Sequence, residues 1–410
     1  MRSHALVFSC VFLAVTLFSP LPGIAAEDWS VPSLNREYRL AIGLPTDMAL
    51  IASTAVNLNQ AFSDCYFEYL GLLLPQALRP AVGIVWQTWW MYLLTIYPHE
   101  FGHWSRAREI GGDFVIHGFA LPWPKATMVL PAGVDPLSEG LTSVAGFEIN
   151  ALMRRQTVDG FYSQGFAHSD ELIHALIQEI YYPGYAFLIA PAVGTVDPEN
   201  PQTWQHTTGD PVESALLAFT ASTGRPAVRT DGTVDPGLVS YYRECTLMSV
   251  AAMLLDPMLY QSAFAFGVDM AENRGLVRPW MIGGDSFAWM YSTLFHPTPL
   301  GYELSLVNHF RLAGRPFDLT LRYGRPILDV GAGVSAPALV AAGGLKLGVT
   351  LDYFYQEPYG HGLGCTVSAG WDLGDAWTLG LEAGGKTRGY LLGRPIAESA
   401  RLLLEVRYRH

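Results

Sequence analysis

Two histidines and a glutamate are the residues whose types and spacing most clearly point to chemistry. His99, Glu100 and His103 stand in the run Pro98-His-Glu-Phe-Gly-His103. On a helix, residues four apart project from one face, about one turn apart. The two imidazoles are therefore placed to occupy two corners of a tetrahedral zinc site. Glu100 lies beside them, where a carboxylate can accept a proton from an activated water.

This H-E-x-x-H spacing resembles the zincin superfamily of zinc metallopeptidases, in which a glycine at the position of Gly102 is common. The resemblance implies a hydrolase in which His99 and His103 bind Zn²⁺ and Glu100 acts as the general base. It covers this helix and one later residue, so it indicates a chemistry rather than a substrate. A helix with two packed or capping histidines is the alternative that the residues leave open.

The third zinc ligand that the resemblance implies is Glu148. This residue lies on a helix predicted from Ser138 to Arg154, as in the glutamate-ligand branch of the family. The run Gly146-Phe-Glu-Ile-Asn150 differs from the usual family context, and its glycine lets two helices approach closely. Rival ligands remain open on and just before the next helix: Glu171, His174, Glu179, His168 and Asp170.

The helix that carries the motif is bounded by clear signals. Residues Ala81 to Tyr97 carry no charge and predict a buried helix, slightly short for a full membrane span. Pro98 removes one backbone donor, so the helix is predicted to be either kinked or restarted there. Gly111-Gly112 is expected to end the helix, because glycine readily adopts the left-handed cap conformation.

A β-hairpin is predicted directly after this helix. Its strands are Phe114 to Leu121 and Ala126 to Leu130, joined by a turn with two prolines. The edge of such a hairpin is physically suited to hold an extended peptide through backbone pairing. His117 lies in the hairpin, and we expect it to pack or to face substrate rather than to bind the metal.

The N-terminus resembles a secretory signal peptide. Residues 1–25 begin with Arg2, continue with an uncharged apolar core and end with the small residues Gly23-Ile-Ala25. The three later cysteines are far apart and odd in number, which argues against a disulfide framework or a cysteine-rich zinc site. The sequence therefore predicts an exported protein.

The composition favours association with a membrane. Charged residues make up 15% of the chain and apolar residues 50%, whereas soluble domains have about a quarter charged residues. The net charge of −12 argues against nucleic acid as a partner, since phosphate binding requires basic patches. We expect the cell outer membrane or the periplasm as the location, with membrane lipid and a peptide or protein substrate as partners.

Two regions follow the signal peptide. Residues 26–300 predict a mainly helical, zincin-like domain, with helical periodicity from Thr46 to about Phe295 and a possible strand at residues 37–44. If that strand is the first of the sheet, the helical region is an insertion after it. The predicted fold class is α+β, because helices and strands are segregated along the chain.

Residues 301–410 alternate between apolar and polar or glycine positions. In one strand, Phe317, Leu319, Leu321 and Tyr323 oppose Asp318, Thr320 and Arg322. Strands of about ten residues with one apolar face are typical of a transmembrane β-barrel, here of about eight strands. A soluble β-sandwich is the alternative, although its outward faces usually carry more charge.

The predicted function is that of a zinc-dependent metallopeptidase of the cell envelope. The apolar run before His99 also resembles the site-two-type intramembrane proteases, although their L-D-G run is missing. A further alternative is a non-enzymatic outer-membrane protein whose H-E-x-x-H is structural.

Overall fold

The computed structural model describes residues 37–44, 46–117, 126–189, 210–229, 231–272, 275–284 and 286–409. The predicted signal peptide lies outside these residues. Within them the chain forms 7 α-helices and a large antiparallel sheet of 10 strands. The predicted α+β class is therefore confirmed.

Aspartate caps begin three of the helices. Asp47, Asp135 and Asp235 each accept a hydrogen bond from a backbone N–H of the first turn, which satisfies donors that a helix start leaves open. The helices are α1 (Met48–Cys65), α2 (Arg79–Glu109), α3 (Pro136–Gln164), α4 (Ser169–Ile189), α5 (Asp210–Thr223), α6 (Pro236–Leu255) and α7 (Pro257–Glu272). Among the described residues, no single helix has both the length and the apolar composition of a membrane span, whereas the bent pair Pro236–Leu255 and Pro257–Asp269 meets both criteria together.

Most of the strands belong to the large sheet. The strands are β1 (Glu37–Ile42), β2 (Asp113–Ile116), β3 (Ala126–Val129), β4 (Ala167–His168), β5 (Leu276–Val277), β6 (Ile282–Gly283), β7 (Phe287–Thr298), β8 (Gly301–Leu312), β9 (Arg315–Pro326), β10 (Asp329–Ala342), β11 (Leu345–Gln356), β12 (Gly360–Asp372), β13 (Trp377–Lys386) and β14 (Ser399–Arg409). The large sheet runs β1-β14-β13-β12-β11-β10-β9-β8-β7-β6, while β2–β3 and β4–β5 are separate pairs. Strands β2 and β3 pair antiparallel, as predicted for the hairpin, although β2 ends at Ile116. The rest of the first predicted strand from residue 118 and the predicted turn lie outside the described residues.

The first strand of the chain pairs with the last. Strand β1 runs antiparallel to β14, with Glu37 opposite Arg409 and Ile42 opposite Leu404. The strand predicted at residues 37–44 is therefore present, and it belongs to the sheet. The helical region is consequently an insertion between β1 and the rest of the sheet, as expected if the strand at residues 37–44 is the first of the sheet.

Two details of the predicted sheet are wrong. The sheet is not closed into a barrel: in the described residues, β1 and β6 are its two edges. In addition, residues 287–298 form β7 rather than continuing the helical region. Phe287, Trp289 and Tyr291 alternate there with Ala288, Met290 and Ser292. Because apolar residues occur on both faces of β7, its sequence lacks the polar alternation that marks the other strands.

The two faces of the sheet have inverted polarity. The register places one set of residues towards the helices: Glu303, Ser305, His309, Asp318, Thr320, Asp329 and Gln356, all of them buried. The opposite, exposed face carries Leu306, Leu321, Tyr323, Leu351, Tyr353, Leu363, Val367, Leu379, Leu381, Leu402 and Leu404. An antiparallel sheet with one face in water normally shows the reverse distribution.

Helices cover the edges of the sheet. Asn57 of α1 accepts a hydrogen bond from the backbone N–H of Arg39 in β1, and its amide donates to the Arg39 carbonyl. At the other side, the carboxylate of Asp256, just after α6, accepts from the backbone N–H of Thr293 in β7. Backbone groups that would otherwise stand open at an edge therefore have partners in the helices.

A buried arginine ties the motif helix to its surroundings. Arg106 of α2 makes a bidentate ion pair with Glu148 of α3, and its Nη1 lies 2.6 Å from Glu109 Oε2. The same carboxylates accept backbone N–H groups from the loop between β13 and β14: Gly393 donates to Glu148 and Ile396 to Glu109. One guanidinium thus connects α2, α3 and the sheet.

Replacing Arg106 by Met should destabilise the protein by about 3–5 kcal/mol, because it leaves the buried Glu148 carboxylate without its cation. The double variant Arg106→Met/Glu148→Met should be more stable than Arg106→Met alone. Denaturant unfolding of the purified chain measures both changes. The exposed pair of Arg108 and Asp113, at 3.1 Å, supplies the control, since Arg108→Met should cost less than about 1 kcal/mol. Equal effects of Arg106→Met and Arg108→Met would contradict this assignment.

Candidate functional site

The histidines lie on the buried face of α2, next to α3. The helix continues through Pro98 and ends at Glu109, and Gly111 follows with φ of +80°, as predicted for the cap. His99 and His103 are buried, with their ring centroids 5.0 Å apart. Two imidazoles that bind one tetrahedral Zn²⁺ through Nε2, at about 2.0–2.1 Å, have centroids about 5 Å apart. The ring spacing therefore fits one shared metal ion.

Two glycines allow α2 and α3 to cross closely at this point. A β-carbon on Gly102 would overlap the carbonyl of Ala145. A β-carbon on Gly146 would overlap the imidazole of His99, meeting Nε2, Cδ2 and Cε1 at nearly equal distances. Equal distances mean that it would meet the face of the ring. The His99 ring therefore lies flat against the α3 backbone, in space that only glycine leaves open.

Hydrogen bonds to Nδ1 fix the tautomer of both histidines. His103 Nδ1 lies 2.6 Å from the backbone oxygen of Thr142, which can only accept, so Nδ1 carries the proton. His99 Nδ1 lies 2.8 Å from Asn150 Oδ1. In the neutral imidazoles Nε2 then holds the lone pair, which is the form that a metal requires.

The orientation of Asn150 is set by groups around it. Its amide nitrogen lies 2.6 Å from Gln178 Oε1 and 3.4 Å from the Thr95 carbonyl, both of them acceptors. Gln178 in turn donates to Thr95 Oγ1 and lies 2.9 Å from His174 Nε2. The oxygen of Asn150 is therefore the atom that faces His99, and the donor role of His99 Nδ1 follows.

A buried polar row on α4 continues this network. Asp170, His174 and Gln178 are spaced four residues apart on one helix face, and all three are buried. Burial lowers the pKa of His174 to about 4, so at neutral pH this ring is uncharged and can accept the Gln178 hydrogen bond. The four-residue spacing was the sequence signal for this row. Sequence reasoning named Asp170 and His174 as possible ligands but missed Asn150, Gln178 and Thr142.

Aromatic rings and a half-buried carboxylate complete the surroundings. Phe147 and Tyr181 lie 5.2 and 5.4 Å from the His99 ring, and Phe114 of the hairpin lies 6.0 Å from His103, centroid to centroid. Glu100 is half-buried on the same helix. Apolar walls lower the local dielectric, which strengthens electrostatic interactions inside the site.

Glu148 does not join the two histidines in this structure. Its carboxylate oxygens accept hydrogen bonds from Nε and Nη2 of Arg106 and from the backbone N–H of Gly393. Among the described residues, no His, Cys, Asp or Glu forms with these two histidines a set whose ligand atoms all lie within 4.8 Å of one another. The sequence suggested Glu148 because its own helix offers no cation before Arg154, whereas the compensating cation lies on α2.

The rival ligands occupy other environments. Glu179 lies 3.3 Å from Arg154 Nε, and burial raises its pKa well above the ordinary value. His168 of β4 and Asp170 in the first turn of α4 are buried, and Glu171 follows Asp170. His117 is exposed, and its Nε2 lies 2.7 Å from Thr127 Oγ1 across the hairpin.

This arrangement can supply two neutral imidazole ligands, a neighbouring carboxylate base and an adjacent hairpin edge. In the described part of the chain, β2 and β3 pair only with each other, so neither is paired with a third strand, and the edge of such a hairpin is suited to an extended peptide. Comparison with family models, with curated proteins and with solved structures finds no match for this chain.

Gly146→Ala should weaken zinc binding at least tenfold, because the added methyl group displaces the His99 ring from its place against α3. Zinc content after dialysis against a metal buffer measures this effect. Gly160→Ala is the control on the same helix, since a β-carbon there has no atom within 4 Å and should leave zinc binding unchanged. Wild-type zinc affinity in Gly146→Ala would contradict the assigned geometry.

Proposed function

We propose that this protein is a zinc-dependent metallopeptidase of the cell envelope. The observation that carries the proposal is the pair of hydrogen bonds from His99 Nδ1 to Asn150 and from His103 Nδ1 to Thr142. Together they hold both Nε2 atoms in the metal-binding form, and such outer partners accompany nearly all metal-binding histidines. The ring spacing of 5.0 Å supports a single shared ion.

In this proposal the residues of the chain have the following roles. His99 and His103 hold the Zn²⁺, while Asn150 and Thr142 keep their rings oriented. When bound, the ion supplies Lewis-acid chemistry, polarising the scissile carbonyl and lowering the pKa of water to about 7. Glu100 accepts the proton of the attacking water and later delivers it to the leaving amine. The hairpin edge holds the substrate peptide in an extended conformation.

The protein ligands assigned in this proposal are His99 and His103. Catalytic zinc sites usually have three protein ligands, and Glu148 was the predicted third. For Glu148 to bind the metal, it would have to leave a bidentate ion pair with the buried Arg106. That exchange would break a buried ion pair, at a cost of several kcal/mol, and leave the guanidinium, which is 2% exposed, with its contact to Glu109. We therefore assign Glu148 to positioning α2 against α3.

The outward face of the large sheet supports a place in a membrane. At its mid-strand positions this face carries leucine, valine and tyrosine, while the carboxylates and arginines face the helices. That distribution is expected when the surrounding medium is hydrocarbon. The contact of α1 with the edge strand β1 and that of Asp256 with β7, next to the short edge strand β6, also fit, because open backbone groups are costly in lipid. We propose that this face lies against lipid of the outer membrane.

Glu100→Gln should retain zinc and lose hydrolysis by at least about 100-fold, because an amide cannot accept the proton of water. Cleavage of a casein or mixed-peptide substrate, with zinc content measured on the same sample, tests this result. Glu357→Gln, in the turn between β11 and β12, is the control and should behave as wild type. His99→Ala should lose activity together with the zinc equivalent that His99 and His103 share.

Three results would count against this function. Substantial turnover by Glu100→Gln would contradict the role of Glu100 as base. Wild-type protein without stoichiometric zinc would contradict the metal site and would favour a non-enzymatic envelope protein. If the His99→Ala/His103→Ala variant retained both zinc and peptidase activity, the catalytic site would lie elsewhere in the chain.

Lysine substitutions on the outward face test the lipid contact. Leu321→Lys and Leu351→Lys are mid-strand, and each should destabilise the membrane-inserted protein by about 2–4 kcal/mol. Leu373→Lys, in the turn between β12 and β13, should cost about 0–1 kcal/mol, because a lysine near the interface reaches water. All three leucines are exposed, so an aqueous surface would tolerate the three lysines equally. Equal tolerance, with the chain in the soluble fraction, would contradict the lipid assignment.

A further inference from the structure

A second group of metal-binding side chains lies on the inner face of the sheet. Asp159 of α3, His309 of β8 and Asp318 of β9 each offer a ligand atom, and these atoms lie within 4.8 Å of one another. Asp159 follows Asn150 by nine residues on α3, a rise of about 13 Å along the helix. The group is therefore separate from the site at His99 and His103.

The sheet register fixes the centre of this group. His309 and Asp318 are directly opposite in the β8–β9 pair, and His309 Nδ1 lies 2.8 Å from Asp318 Oδ1. On its other side, His309 Nε2 lies 2.9 Å from Ser292 Oγ, and the ring stacks on Tyr162 with centroids 4.1 Å apart. The imidazole is thus held in one position by four elements.

Ser292, His309 and Asp318 are hydrogen-bonded in series. This series also resembles a serine nucleophile, its histidine base and the carboxylate that orients the base. Ser292 and His309 are each 1% exposed, however, so a substrate carbonyl cannot reach the serine in this structure. Asp159, by contrast, keeps 35% of its side chain accessible. The group is open to a small ion from the α3 side and closed to an organic substrate.

The charge balance around the group favours a cation. In the described part of the chain, the neighbouring carboxylates on this inner face are Asp159, Glu303, Asp318, Asp329 and Asp352, and the neighbouring guanidiniums are those of Arg155, Arg322 and Arg394. Arg155 Nε lies 2.7 and 2.9 Å from the oxygens of Asp159, and Arg322 lies 3.5 Å from Asp352. Three cations thus face five carboxylates. Buried carboxylates without a cation are costly, so a divalent ion would compensate the excess.

We propose that Asp159, His309 and Asp318 bind a divalent transition-metal ion. One imidazole and two carboxylates suit Zn²⁺, Mn²⁺ or Fe²⁺, whereas Ca²⁺ prefers six to eight oxygen ligands. Arg155 already contacts Thr320 Oγ1 at 3.1 Å, so it has a partner in the sheet when Asp159 turns to the ion. The bound ion joins α3 to β8 and β9, and therefore fastens the helical insertion to the sheet.

Zinc stoichiometry in the full-length chain tests the proposal, with the first site removed by His99→Ala/His103→Ala. After equilibration with zinc and dialysis, the wild type should retain two equivalents and the double variant one. Adding His309→Ala or Asp318→Asn to the double variant should remove the remaining equivalent. His361→Ala is the control, since His361 is an exposed histidine bonded to Tyr353, and it should retain that equivalent.

A second measurement covers variants that fold poorly. Zinc should raise the thermal unfolding midpoint of the double variant, and the near-isosteric change Asp159→Asn in that background should abolish the rise. A double variant without zinc would overturn the proposal, as would zinc that persists after His309→Ala, because it would then be bound adventitiously elsewhere. If the proposed peptidase site does not bind zinc, the result is different. The wild-type protein would then retain one zinc equivalent, which His309→Ala removes and His99→Ala does not.

Discussion

The buried guanidinium of Arg106 is the constraint on which the arrangement of the site depends. Burial alone would lower its pKa, but Glu148 and Glu109 raise that pKa above the ordinary value, so the group is charged at every pH at which the protein folds. A buried charge in this position requires the carboxylates of Glu148 and Glu109. These in turn accept hydrogen bonds from backbone N–H groups of the β13–β14 loop. Because Arg106 is three residues after His103, this ion pair also sets how the motif helix is rotated against α3.

The rest of the site follows from that rotation. Gly102 and Gly146 bring the backbones of α2 and α3 together, and the His99 ring then lies against α3 with Nδ1 at Asn150. The polar side chains of His99, His103 and Asn150 have hydrogen-bond partners in this interface, which is needed because an unpaired buried group costs about 1–3 kcal/mol. The inner face of the sheet is polar for the same reason: it meets helices rich in charged partners, while its apolar side chains point outward.

Parts of this architecture could be predicted from sequence because they depend on local spacing. Residues four apart placed His99 and His103 together, alternation identified the faces of β8, β9 and β11, and glycine marked the end of α2. The partner of Glu148 could not be predicted, since Arg106 is 42 residues away in sequence and only tertiary packing brings them together. Strand β7 was missed because apolar residues occur on both of its faces. That the sheet stays open could not be predicted either, because it depends on contacts that helices distant in sequence make with its outer strands.

Anomalous X-ray scattering at the zinc absorption edge, from crystals of the wild-type protein equilibrated with zinc, tests the central claim most directly. We expect an anomalous peak about 2.0–2.1 Å from Nε2 of both His99 and His103, with their Nδ1 atoms still hydrogen-bonded to Asn150 and Thr142, respectively. Crystals whose zinc lies elsewhere, with no peak between these two imidazoles, would contradict it.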